Sequence, residues 1–299
     1  MVGKEPQEGS ELVVEVRERK GIKKGLYLLP SAFTAANVGM GYYAIMAALR
    51  GFQLLGTGVE SDALHATAHF DNASRAIGWA ILFDTLDGRI ARLTKTTTEI
   101  GIQFDSIADV LTFGIAPAVL VYAWGYGSAF QDGSQLHKLG WFLSFMFLIC
   151  GALRLARFNV QATRPRPLAE GTAKVDKKHF LGLPIPAAAG LLAAIVHFAP
   201  RPLVSYEENR ATLYGSLLMG LVAILALLMV STLRYSSFKT LGAGKRSTIK
   251  AVPVLAAVGM LIWLFSRYVL LAIVAAYVVQ GILLRLISLF HGKQSTGDA

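Results

Sequence analysis

Apolar residues run in long blocks along this chain, and the polar positions between them are short and rich in charge. Half-buried strands alternate apolar and polar residues with period two, and no such alternation is sustained here. A helix needs about twenty mostly apolar residues to cross the hydrocarbon of a bilayer. Blocks of that kind predict eight spanning helices, at 32–50, 73–92, 100–123, 139–158, 182–199, 212–233, 249–266 and 268–287. The sixth contains YGSLLMGLVAILALLMVSTL, without a single charge. The second and third are interrupted by ionisable residues near one end, which is costly in lipid and marks function. The last two are expected to be joined by a tight turn at Ser266 and Arg267. Ahead of the first block, residues 1–20 read as a flexible polar tail. The segment GIKKGLYLL then predicts a short surface helix over 21–31. Pro30 suits a helix start, with Ser31 or Thr34 capping it. The polar opening and the length of the first block predict a retained helix, not a cleaved leader. The expected layout is a tail (1–20), an interfacial helix (21–31), a six-span core (32–233), a loop (234–248), two further spans (249–287) and a second tail (288–299).

Composition agrees with an all-α polytopic membrane protein. The chain is 54% hydrophobic, 16% charged and has a mean hydropathy of +0.50, whereas soluble domains are about one quarter charged. The net charge of +10 would by itself suit nucleic acid or an anionic surface. The apolar blocks decide for the membrane. The one cysteine, Cys150, lies inside an apolar run, so neither an intrachain disulfide nor a cysteine metal site is expected. With eight spans, 23 of the 29 Lys and Arg residues fall on the side that holds both termini. The other six are Arg50, Arg75, Lys138, Arg201, Arg210 and Arg267. The positive-inside rule then predicts cytoplasmic termini. The basic loop 160–181 either lies on lipid headgroups or covers the site.

An acidic cluster sits among these basic loops. Asp84 and Asp87 are three residues apart and Asp105 and Asp109 four apart, so each pair shares one helix face. Gly88 and Gly101 leave room for a close helix or ligand. Four carboxylates in one place repel unless protonated or neutralised by metal. Oxygen ligands point to hard cations, Mg²⁺ first and Mn²⁺ second, and such cations act on phosphate. Arg92 is a candidate phosphate ligand. An acid-lined ion or proton pathway is the alternative reading, although the ionisable residues gather near one face instead of crossing the membrane.

Asp84, Asp87, Gly88, Ala91, Arg92, Gly101, Asp105 and Asp109 fit the pattern D-x2-D-G-x2-A-R-x8-G-x3-D-x3-D at every fixed position. This resembles the signature of the CDP-alcohol phosphatidyltransferase family. The resemblance implies six core helices, a homodimer, CDP-diacylglycerol as donor and two divalent ions. It implies that the four aspartates hold metal, with Asp109 also the base, and that Gly88, Ala91, Arg92 and Gly101 meet the CDP moiety. CGALRLARFN (150–159), FLGLPIPAAAG (180–190) and LMVSTLRYSSFK (228–239) are similar to segments of the bacterial membrane-type phosphatidylserine synthase subfamily, as are two extra C-terminal spans. That likeness implies L-serine as acceptor and a bacterial inner membrane. The same transfer to glycerol 3-phosphate, inositol phosphate or choline stays open. Arg154, Arg157 and Asn159 are read as anion or acceptor ligands, against snorkelling charges. Arg234 and Lys239 either close the pocket or anchor the sixth span. Thr34 and Asn37, one turn apart, either meet the nucleotide or tie helices together.

Overall fold

A computed structural model describes the backbone of residues 8–94, 99–163, 179–231, 234–236 and 248–291. The side chains of residues 1–31, Ala91, Arg92 and Arg234, and all of Lys239, lie outside the described set. Among the described residues the architecture is helical apart from two three-residue strands. The first helix, α1, runs from Glu8 to Leu55 without a break. It therefore includes residues 8–20 of the expected tail and the expected surface helix, and it passes through Pro30 instead of starting there. The Glu, Leu, Lys and Arg of its opening turns are good helix formers. α2 spans Glu60–Thr94 and packs along α1.

The next helix, α3, covers Glu99–Ala129 but changes its winding on the way. It is α-helical over Glu99–Asp109, π-helical over Val110–Ile115, α-helical over Ala116–Val121 and π-helical again over Tyr122–Tyr126. Pro117 has no N–H to give the carbonyl four residues back, and the first wide turn lies just before it. α4 (Gln135–Thr163), α5 (Ile185–Phe198) and α6 (Glu208–Val230) follow. Strands β1 (His179–Leu181) and β2 (Arg234–Ser236) pair antiparallel, with Leu181 opposite Arg234. They join the approach to α5 to the chain leaving α6. Here Gly182 takes φ +79°, and a Cβ would fall 2.4 Å from the Met229 carbonyl oxygen.

The last described helix is α7, Thr248–His291, in which Phe265 departs from helical geometry at φ −133° and ψ 42°. Where a tight turn was expected between two separate spans, there is one helical run with a break. Ser266 does not mark a loop, because its hydroxyl is taken up by His197.

Among the described residues, six helical stretches are long and apolar enough to cross a bilayer: Ala32–Leu55, Glu99–Ala129, Gln135–Val160, Ile185–Ser205, Glu208–Val230 and Ala256–Gly281. α2 is not among them, since charged residues such as Asp71, Arg75, Asp84 and Asp87 divide its apolar surface. The core where α1, α2 and α5 meet is built from small residues. Ala44, Ala48, Ala73, Ala80, Ala188 and Ala189 are fully buried. Small side chains let helix backbones approach closely, which is how helices associate in lipid. Trp79, Leu217, Leu227 and Trp263 point outward, as suits a surface solvated by lipid tails.

Candidate active site

The aspartates gather where the end of α2 faces the start of α3. Carboxylate oxygens of Asp84, Asp105 and Asp109 lie within 4.8 Å of one another. Two helices supply them because the spacings of three and four put each pair on one face. Asp87 stands slightly apart. It is buried, and its carboxylate accepts a hydrogen bond from the Thr34 hydroxyl of α1. It remains close enough to interact electrostatically with Asp84 and Asp105. The cluster therefore consists of three converging carboxylates and a fourth braced from behind.

α1 is held over the site by a close crossing. A Cβ on Gly41 would lie 2.3 Å from the Thr112 hydroxyl and 2.9 Å from its Cα. Thr112, in the first π-helical turn, donates to the Asn37 carbonyl at 3.3 Å. Asn37 is fully buried, and neither its Oδ1 nor its Nδ2 has a hydrogen-bond partner. Asp109 Oδ1 is likewise buried and unpartnered. Leaving a buried polar atom without a partner costs about 1–3 kcal/mol, so these three atoms are free to take up a further ligand or water. An all-oxygen donor set with an orphaned carboxylate oxygen fits a hard divalent cation.

Arg154, from α4, is half-buried and interacts electrostatically with Asp109. Its Nε is also buried without a partner. Arg157 is exposed, and Asn159 instead donates to the Ser106 hydroxyl at 2.8 Å. Beside that pair, a groove of about 410 Å³ opens between α3 and α4, lined mainly by Ile107, Val110, Leu111, Ala152 and Leu155. Gly88 and Gly101 are exposed on the helix ends flanking the cluster. β2 brings the backbone of Arg234 opposite Leu181.

A second polar group escaped the sequence reading. Asp71, His197 and Ser266 form a hydrogen-bonded chain away from the aspartates. The available signal was a histidine inside a predicted span, since ionisable residues there are seldom idle.

The profile of the CDP-alcohol phosphatidyltransferase family matches residues 27–230. A CDP-diacylglycerol–serine O-phosphatidyltransferase of Helicobacter pylori (strain J99) is 34% identical over 220 residues, covering 72% of this chain and 74% of that protein. Proteins of the same name from Methanocaldococcus jannaschii and Saccharomyces cerevisiae are each 35% identical. They cover 56% and 57% of this chain, and 65% and 54% of their own lengths.

Proposed function

The chain belongs to the CDP-alcohol phosphatidyltransferase family, and from that premise we propose that it moves the phosphatidyl group of CDP-diacylglycerol to the hydroxyl of L-serine, giving phosphatidylserine and CMP. The observation that carries the chemistry is the convergence of Asp84, Asp105 and Asp109 with one Asp109 oxygen left unpartnered. The serine acceptor is supported by the names of the similar proteins and by Arg154, a cation beside Asp109 suited to a carboxylate or phosphate.

Asp84, Asp87, Asp105 and Asp109 would hold Mg²⁺ or Mn²⁺, as two ions. When bound, such ions supply positive charge to the diphosphate and polarise the phosphorus. Thr34 fixes Asp87 by its hydrogen bond. Asp109 accepts the proton of the serine hydroxyl as that oxygen attacks the phosphorus bearing the diacylglycerol. The new P–O bond forms as the bond to CMP breaks, and CMP carries away the electron pair. No phosphatidyl-enzyme is needed, since the four carboxylates all have other tasks. Arg92 and the glycines Gly88 and Gly101, with Ala91, would accommodate the CDP moiety, and Asn37 would meet it from α1. Arg157, Asn159, Arg234 and Lys239 would border the acceptor. The apolar groove between α3 and α4 would take an acyl chain while the headgroup reacts at the interface.

The 23-to-6 division of basic residues supports a cytoplasmic active site in a bacterial inner membrane. The break at Phe265 supports reading α7 as two crossings beyond the core, which keeps both termini on one side. The enzyme is expected to act as a homodimer. The test is CMP release in liposomes from CDP-diacylglycerol, with serine, glycerol 3-phosphate, inositol phosphate or choline and with Mg²⁺ or Mn²⁺ present. Serine-dependent release is expected. Release with another alcohol but not serine would overturn the acceptor and leave the transfer standing. No release with any alcohol would overturn the transfer itself.

A further inference from the structure

Another cavity, of about 430 Å³, opens between α5, α6 and the last turns of α3. It belongs to the end of the bundle away from the aspartates. Trp124, in its lining, lies 15 residues past Asp109 on α3, about 22 Å along the axis at 1.5 Å per residue. The floor is closed, with Trp124, Leu203 and Leu218 all buried. Gly125, in the second π-helical turn, lets α6 come this near, since a Cβ there would lie 2.6 Å from a Leu218 methyl. The Trp124 Nε1 donates to the Arg201 carbonyl at 3.0 Å and so fixes the indole. Phe198, Tyr214 and Leu217 stand exposed around the mouth.

The lining is graded along its length. At one end the exposed Arg201 guanidinium lies over the Tyr206 ring, 5.1 Å from its centroid. Tyr206 in turn meets Tyr214 edge to face at 5.6 Å, and both rings line the cavity. One to two turns farther into α5 and α6 the lining is Ile195, Leu218 and Leu221. Aromatic rings beside a cation mark the membrane–water interface, so the cavity passes from headgroup depth into hydrocarbon. The charge at its rim is uncompensated. Among the described residues Glu207 pairs with Arg210 at 3.8 Å, and Arg201 pairs with no carboxylate. Its Nη2 donates to the Ser205 carbonyl at 2.7 Å. A guanidinium has five N–H donors, so that bond positions the group and leaves others for an anion.

We propose that this cavity is a binding site for an anionic phospholipid of the leaflet opposite the aspartates, with an acyl chain over Trp124 and the phosphate on Arg201. Water does not fill an apolar cavity, and within a bilayer the hydrocarbon at hand is lipid chain. The rim selects the headgroup, because a guanidinium without a carboxylate partner suits a phosphate. A second copy seated here about a twofold axis would bring its own Arg201 to the same rim and set like charges together. The lipid joins the end of α3 to α5 and α6 where Pro200 and Pro202 interrupt the helices. The site is independent of the transfer reaction proposed above.

The test uses the full-length chain in vesicles. Trp79→Phe, Trp141→Phe and Trp263→Phe together leave Trp124 as the sole tryptophan. All three replaced residues are exposed, so the core is spared. Phosphatidylglycerol brominated on its acyl chains quenches an indole only on close approach. Emission from Trp124 is expected to fall in such vesicles, and Ala199→Phe, which fills the cavity, should abolish the fall. Half-maximal quenching should need about fivefold less brominated phosphatidylglycerol than brominated phosphatidylcholine, as expected of one exposed ion pair. Arg201→Gln should remove that preference and Arg201→Lys should keep it; both retain the carbonyl that holds Trp124. A second readout needs no tryptophan changes. In detergent, phosphatidylglycerol should raise the unfolding midpoint of the wild type more than that of Ala199→Phe. Emission indifferent to brominated lipid, quenching equal in Ala199→Phe, or equal midpoint shifts would overturn the site. A headgroup preference that survives Arg201→Gln would overturn the place of the phosphate. Quenching that appears only when the protein is diluted to monomers in mixed micelles would give the cavity to a second copy and overturn the lipid. No readout depends on CMP release, so failure of the transfer reaction leaves the outcome decisive.

Discussion

Replacing Asp109 by Asn removes one negative charge and one proton acceptor while keeping the shape of the side chain. The consequences for stability and for rate have opposite signs. Oxygens of Asp84, Asp105 and Asp109 lie within 4.8 Å, where two ionised carboxylates repel by about 3.5 kcal/mol at an effective dielectric constant of ~20. Asp109 takes part in two such pairs. Proton uptake relieves much of the repulsion in the metal-free protein, leaving a net gain of about 1 kcal/mol for the Asn variant. In EDTA its unfolding midpoint should therefore lie roughly 2–4 °C above that of the wild type. Saturating Mg²⁺ should reverse the order, because the wild type has more charge for a cation to neutralise. Turnover moves the other way. Losing a general base costs about 10²- to 10⁴-fold, read as CMP release at saturating serine. A rate within twofold of wild type would refute Asp109 as base. A lower midpoint in EDTA would refute the repulsion argument.

Other perturbations probe the surroundings of the cluster. Exhaustive chelation should abolish CMP release, and Mg²⁺ or Mn²⁺ should restore it; turnover that survives chelation removes metal from the mechanism. Thr34→Val takes the hydrogen bond from buried Asp87, a loss of about 1.5–3 kcal/mol for a charged acceptor. It should lower kcat/KM about tenfold or more, while Thr34→Ser stays near wild type. Gly41→Ala places a methyl 2.9 Å from the Thr112 Cα. Such overpacking costs about 1–3 kcal/mol and should lower the unfolding midpoint. Gly182→Ala combines positive φ with a backbone oxygen 2.4 Å from the new Cβ. It should destabilise by more than about 1 kcal/mol, again measured by thermal unfolding.

The aspartate pairs were legible because three- and four-residue spacings translate directly into a shared helix face. Contacts between distant segments were not. Nothing in local spacing distinguishes Asp87, whose partner Thr34 is 53 residues away, from the three aspartates that converge. The segments 180–190 and 228–239 lie far apart in the chain. Their pairing through β1 and β2 depends on how α5 and α6 stand in the bundle. Ser266 and Arg267 read as a turn because polar residues between apolar blocks usually are one. The hydroxyl instead found His197, 69 positions away. The π-helical turns left no mark beyond Pro117. Their energy is settled by packing against α1 and α4, not by the propensity of VLTFGI.

Those wide turns have a bearing on how the site tolerates insertions and deletions. Each helical residue advances the side-chain direction by about 100°, and a π-turn accommodates one residue more than a regular turn would. The surplus in Val110–Ile115 sits between Asp109 and the buried stretch Ala116–Val121. It lies between the aspartate-bearing and core-facing parts of α3. Deleting one residue from 110–115 would leave the composition, hydropathy and signature spacing almost unchanged. The wide turn would close to a regular one, with Asp105 and Asp109 still directed at Asp84. Deleting one residue from the regular turn Ala116–Val121 would instead swing them about a quarter turn relative to the helix beyond, so a functional helix and a silent one would differ by phase alone.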